Sequence, residues 1–331
     1  MGLISSYDAL LTRLLKVVLN RHGEIFFTTK KSITFAELLK FDTMDDAKAN
    51  LIDKEVEAVI RNSHHEQFKW MEENFSMKLR SGLDVWPRFI ELCERRNLLT
   101  HNGGLASKQY IANCKEHKFD VSSIKVGDKL PVDAEYFSGA VDIIYEIGVK
   151  LCYVLWRKFS KEEIGDADRA VNELCFDLIH GQAYNIAEAI LRFTVIGFAG
   201  EHPQMVLSMM TINLANAIRL QGRHEEAKKL LNARDWSGSD VSLKMGVAAV
   251  KGEVNSLVKF MKQIGNNGRN AENYRSWPIF RGMRRTHEFV AAFEEIFGEP
   301  LIHTALTTLG VSSESVDPLA VDSTAPPPTK H

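Results

Sequence analysis

Arg95-Arg96-Asn97-Leu98-Leu99-Thr100-His101-Asn102-Gly103-Gly104 is the stretch from which the rest of the chain is read. Arginine carries a permanent charge and can grip a phosphate at two points. Histidine changes charge near neutral pH and can move a proton. With an amide beside them, these side chains are a minimal set for cutting a phosphodiester without a metal. Asp84 is expected to cap a helix that begins near Val85 and carries Trp86, Phe89, Ile90, Cys93 and Asn97. Gly103-Gly104 then stops it, because glycine takes the left-handed conformation at little cost. Asn97 and His101 stand four apart and share a face. Arg96 lies about 140° round the helix from His101. The two reach one groove only if His101 sits at a fraying end, which the double glycine permits.

Outward from this stretch the first half reads as helices. Ser5 or Ser6 caps a helix toward Arg21, with Leu10, Leu11, Leu14, Leu15 and Val18 on one stripe. His22 to Ile33 reads as loop or short strand. Thr34-Phe35-Ala36-Glu37 is a capping box. Further helices are expected over about 45–62 and 64–80, the latter with Phe68, Met71, Phe75 and Leu79 inward. Lys115 to Pro131 reads as irregular, with a turn at Val126-Gly127-Asp128. Asp133 begins a long amphipathic helix through Phe137, Ala140, Ile144, Ile147, Leu151 and Leu155, whose rhythm suits an antiparallel bundle.

The 331 residues allow two domains. A composition of 45% apolar and 25% charged residues is that of a soluble globular protein. The net charge of −2 exerts no global pull on nucleic acid, so RNA must be held by a local basic patch. Cys93, Cys114, Cys152 and Cys175 are widely spaced, form no metal-type pair and suit a reducing cytoplasm. No secretory signal and no membrane span are expected. Met1-Gly2-Leu3-Ile4-Ser5-Ser6 fits a myristoylation pattern, too short a match to use. His64-His65 invites a metal, but no further ligand stands at a suitable spacing. No cofactor loop, nucleophile elbow or zinc pattern is present.

The arrangement Arg96-Asn97-x-x-x-His101, followed by Gly103, Gly104 and Tyr110, resembles the signature of the HEPN superfamily of small helical domains. Val126-Gly127-Asp128 and Tyr136 are also similar to that group. The resemblance covers residues 1–160 and is specific only over Arg96–Tyr110. It implies a metal-independent endoribonuclease acting as a toxin or in anti-phage defence, built as a homodimer with a composite site. In that role Arg96 holds the phosphate, Asn97 orients His101 or the ribose, and His101 handles the proton. A helix C-terminus suits a cationic imidazole, which fits His101 to a general-acid role. Arg95, Asn102 and Tyr110 are secondary substrate-binding candidates. No metal or cofactor is implied. The alternative is a non-catalytic scaffold that dimerises and recruits a partner.

The sequence turns polar between Phe159 and Asp168, which marks a boundary. Beyond it, Asn213-Leu214-Ala215-Asn216-Ala217-Ile218-Arg219-Leu220-Gln221-Gly222-Arg223-His224-Glu225-Glu226-Ala227 resembles one tetratricopeptide repeat. Ala215 and Ala227 fall where paired helices touch, and Gly222 at the turn. A looser copy follows at Gly246 and Gly252-Glu253, and another precedes it at Gly181 and Ala187. The expected fold is therefore all-α: a HEPN-like bundle, then tetratricopeptide-like helix pairs over 168–300 that offer a groove to a protein or peptide. Trp277-Pro278-Ile279-Phe280 with Phe289, Phe293, Ile296 and Phe297 reads as a terminal cap. Arg281, Arg284 and Arg285 read as a solvated basic face. Residues 311–331 read as a disordered tail.

Overall fold

A computed structural model describes residues 2–23, 33–198, 200–266 and 271–302. Among them the regular elements are all helical, and the one β-bridge pairs Leu105 with Lys129. Residues 311–331 and most of the stretch from His22 to Ile33 lie outside the described residues.

The first core gathers α1 (Gly2–Arg21), α3 (Met44–Ile60), α4 (His64–Phe75), α5 (Trp86–His101) and α7 (Ala134–Phe159). Tyr7, Leu11, Leu15, Phe68, Met71, Phe89 and Ile147 meet there and are essentially sealed from water. Burial on this scale stabilises by roughly 1.5–3 kcal/mol per large side chain. The short α2 (Phe35–Leu38) has the expected capping box at Thr34 and Glu37.

Several boundaries differ from the sequence reading for local reasons. Ser6 does not cap α1 but lies inside it, its hydroxyl donating back to the Gly2 carbonyl at 3.0 Å. Helix α4 stops at Phe75 rather than near Arg80, because Ser76 turns left-handed (φ 50). The Glu72 carboxylate then accepts the Leu79 and Arg80 N–H groups, both at 2.9 Å. Asp84 does not cap α5. Val85 takes that position without a side-chain bond, and Pro87 supplies a preset φ in the first turn. An additional helix, α6 (Lys108–Glu116), starts at Ser107, whose hydroxyl accepts the Tyr110 N–H. The expected glycine stop does close α5: Gly103 and Gly104 have φ of 58 and 79, and Gly104 donates to the Leu98 carbonyl. Asp133 caps α7 as expected.

Three helix pairs follow: α8 (Ile164–His180) with α9 (Tyr184–Gly197), α10 (Gln204–Leu220) with α11 (His224–Asn232), and α12 (Val241–Lys251) with α13 (Val254–Ile264). Ala187, Ala227 and Leu257 occupy equivalent buried positions in the second helix of each pair. Gly246 lies so close to its neighbours that an added Cβ would meet Ile212 Cγ2 at 3.3 Å. The turns carry a correction. Gly222 and Gly252 are left-handed, with φ of 84 and 79, but in the first pair the left-handed residue is Gln182 (φ 67), not Gly181. A side chain at such a φ costs about 1–2 kcal/mol, and glycine's extra unfolded-state freedom offsets part of any gain. Gln182→Gly is therefore expected to raise stability by about 0.5–1 kcal/mol, read as a higher midpoint in urea; a lower midpoint would show that the strain is absent.

The chain ends in α14 (Ala271–Ser276) and α15 (His287–Phe297). Tyr274, Phe280, Phe289 and Phe293 form a buried aromatic cluster there, in keeping with a cap over the last helix pair. The basic cluster is not a uniformly solvated face. Arg284 is partly buried, and its guanidinium donates to the Tyr274 carbonyl at 2.8 Å and to the Trp277 carbonyl. Burial, together with nearby Arg281, lowers its pKa to about 10. The polar stretch read as a boundary holds a 3-10 turn (Lys161–Glu163) and the start of α8. No helix among the described residues is long and apolar enough to cross a membrane.

Candidate functional site

Helix α5 carries Arg96, Asn97 and His101 on an unbroken run. Its last turn is closed by the Asn102 N–H on the Leu98 carbonyl at 2.8 Å. His101 therefore sits in regular helix and not at a frayed end, and the angle of about 140° to Arg96 stands. The consequence is visible in the surface. Arg96 and Asn97 line a polar pocket of about 620 Å³. His101 is exposed and is not among the residues that line it. Within one chain the three expected catalytic side chains do not converge.

The pocket has other walls. His64 and His65 enter from the start of α4, Asn113 and Glu116 from α6, and His117 from the residue that caps α6. Arg96 Nε is buried and has no hydrogen-bond partner. An unpaired buried guanidinium N–H costs desolvation free energy, and the rest of the Arg96 side chain lies at the pocket wall. His64 is not available to a ligand: its Nε2 lies 3.0 Å from Asp8 Oδ1, and its ring packs on Tyr7 and Phe89. The His65 and His117 rings lie 4.5 Å apart between centroids, tilted by 41°. Arg80 donates to His65 at 3.0 Å and is itself gripped by Glu72. Burial lowers the His117 pKa below the usual imidazole range; the His65 and Arg80 charges act in the same direction, with Glu116 opposing.

Arg95, Asn102 and Tyr110, expected at the substrate, are committed elsewhere. Glu91 is buried in the same helix, and its Oε1 accepts from Arg95 Nε at 2.6 Å and from the Tyr110 hydroxyl at 2.7 Å. Its Oε2 accepts from the Tyr136 hydroxyl at 2.9 Å. Arg95 also donates to the Pro131 carbonyl and lies over the Tyr136 ring at 4.2 Å. Burial, reinforced by the Glu91 charge, holds both phenols well above the usual tyrosine range. Tyr110 is 1% exposed and cannot stack on a base. Asn102 Nδ2 closes the glycine turn on the Leu105 carbonyl.

Sequence reasoning missed two pocket residues. In the sequence His65 reads only as a metal ligand beside His64, and nothing marks His117. Among the described residues no three His, Cys, Asp or Glu side chains form a group that could hold a metal. Three of the four cysteines are buried and Cys152 is partly so, all unpaired. Burial pushes Cys114 and Cys175 up to about 12, which leaves them weak nucleophiles.

Larger or comparable cavities lie away from the motif. One of about 1050 Å³ runs between the two halves, and several of its cations are ion-paired, including Lys150 with Glu146 and Arg192 with Glu188. Another of about 590 Å³ lies across α8, α10 and α12, with Phe176, Met205, Met209 and Trp277 beside Asn172 and Asn213. No protein-family model matches the chain, and neither a curated protein nor a solved structure matches it.

Proposed function

We propose that this chain is a metal-independent endoribonuclease of the HEPN type, working as a homodimer in the cytoplasm as a toxin or defence effector. The observation that carries this reading is Arg96. Its Nε is buried and unpartnered at a polar pocket, on a helix with the Arg-Asn-x-x-x-His spacing. Arg96 neutralises the crowded phosphate and stands in for a metal as the charge clamp. Asn97, exposed at the same pocket, orients the ribose. His101 protonates the leaving 5′-oxygen.

Because His101 lies outside the Arg96 pocket of its own chain, one complete site takes His101 from a second copy. A two-fold contact at the end of α5 supplies that copy twice. Apolar side chains left in solvent near this end support the contact: Leu99, Leu105, Val132 and Phe137 are each 40% or more exposed.

Purified full-length protein is expected to cut total RNA with excess chelator present and to leave 2′,3′-cyclic phosphate ends. Arg96→Ala and His101→Ala should each remove the activity while melting as wild type does. Cleavage that stops with chelator and returns with magnesium would sink the assignment, as would a strict monomer by sedimentation at the working concentration.

A second reading is favoured by the groove across α8, α10 and α12. On this view the three helix pairs are tetratricopeptide-like and bind a protein or peptide in the groove, and the bundle serves as a dimerising scaffold. Both readings give the groove the same task, recruitment of a partner. They separate on RNA cleavage alone.

A further inference from the structure

We infer that His117, seated against His65, is the general base that takes the ribose 2′-proton at the Arg96 pocket; this rests on the ribonuclease reading above. That reading leaves a gap. Arg96 supplies charge and His101 of a second copy supplies the acid, but cleavage by 2′-oxygen attack also needs a base on the other side of the phosphorus.

The pocket that contains Arg96 and Asn97 is also lined by His64, His65 and His117, and with His64 held by Asp8 two imidazoles remain. His65 is set by a chain of contacts that begins at Glu72. The Glu72 carboxylate holds the Leu79 and Arg80 N–H groups and the Arg80 guanidinium. Arg80 Nη1 lies 3.0 Å from His65 Nδ1 and 3.3 Å from its Nε2. Arginine has donors only, so the Arg80 guanidinium is the donor in this contact and orients the His65 ring. His65 then faces the His117 ring at 4.5 Å, and Trp86 meets the same ring edge-on at 6.1 Å. The backbone fixes His117 as well: it caps α6, its N–H donating to the Asn113 and Lys115 carbonyls, and Lys118 turns left-handed directly after it (φ 63).

The charged and titratable groups recorded around His117 are His65, Arg80 and Glu116. Two are cationic or able to become so, and with burial they keep the His117 ring neutral. A neutral imidazole in a pocket with a guanidinium is what a base for a hydroxyl requires.

In the step that follows, the 2′-hydroxyl proton passes to a His117 ring nitrogen as the O2′–P bond forms. The P–O5′ bond breaks, and the leaving 5′-oxygen takes a proton from His101 of the second copy. The products are a 2′,3′-cyclic phosphate and a 5′-hydroxyl, with one proton gained by His117 and one lost by His101. Exchange with water restores both.

The test uses full-length protein and a defined single-stranded RNA oligonucleotide with chelator present. His117→Ala is expected to cut about 10²–10⁴-fold more slowly than wild type, with the same melting midpoint, and added imidazole should raise its rate. A folded His117→Ala that stays within tenfold of wild type, while Arg96→Ala and His101→Ala are inactive, would overturn the inference and leave the ribonuclease reading standing. If wild type itself does not cut, or Arg96→Ala and His101→Ala cut as wild type does, both fall. Should His117→Ala fail to fold, His65→Gln decides through the pH profile. Removing one of the groups that depress His117 should move the acid limb of the rate to higher pH, and an unmoved limb would overturn the inference.

Discussion

Asp168→Ala is expected to lose about 3–5 kcal/mol of stability, the range for removing one partner of a buried ion pair. Asp168 is fully buried at the junction of the two halves. Its Oδ1 accepts from Arg157 Nη1 at 2.6 Å and the Tyr153 hydroxyl at 2.7 Å, and its Oδ2 meets His202 Nδ1 at 2.8 Å. The Arg157 side chain is 3% exposed. Without Asp168 its remaining acidic partner is Glu201, which is 63% exposed and largely in water. The loss would be about a third of the stability of an ordinary domain. Urea unfolding checks it: the midpoint should fall with the slope unchanged. A fall worth less than about 1 kcal/mol, the range of exposed pairs, would show that Glu201 carries the guanidinium alone. The same residue gives a pH signature. Burial would raise the Asp168 pKa, but hydrogen bonds from His202 and Tyr153 and the nearby positive charges outweigh it and hold it below the usual carboxylate range. Its stabilisation is thus complete above the unfolded value, about 3.9, and is lost as pH falls through the lower folded value.

Glu91→Ala should be of similar size, about 3–5 kcal/mol, because it strands a charge and two phenols together. Glu91 joins the motif helix to α6 through Tyr110 and to α7 through Tyr136, and Arg95 is neutralised against it. Glu91→Gln keeps one accepting oxygen and should lose about half as much. The variant should also relax α6, and with it the seat of His117. Faster amide exchange over residues 108–116 than over α1 would report that. A Glu91→Ala protein that melts at the wild-type midpoint would mean the network contributes nothing net.

The architecture was legible where a local rule decides: the capping box at Thr34, the glycine stop after His101, the helix pairs at Gly222 and Gly252. It failed where distant residues decide. Nothing near Ser76 in sequence signals that Glu72 will end α4 by capturing Leu79 and Arg80. Arg95 and Tyr110 have the chemistry of substrate ligands, and only the fold shows that a carboxylate one turn before Arg95 uses both. The site was half legible. Arg96 and Asn97 line one pocket and His101 does not, while His117 reaches it from the residue that follows α6, which no motif in the sequence marks.

Helix α7 is 26 residues long, a rod of about 39 Å. Ile143, Ile147, Leu151 and Leu155 belong to the first core, and Tyr153, between the last two of these, belongs to the second. A truncation after Phe159 therefore removes the cover from Tyr153 and the counter-charge from Arg157. The halves are not interchangeable cassettes, because a join on either side of α7 deprives one core of side chains that this helix supplies. The same rod joins the second core to the motif helix, since Tyr136 at its start holds Glu91.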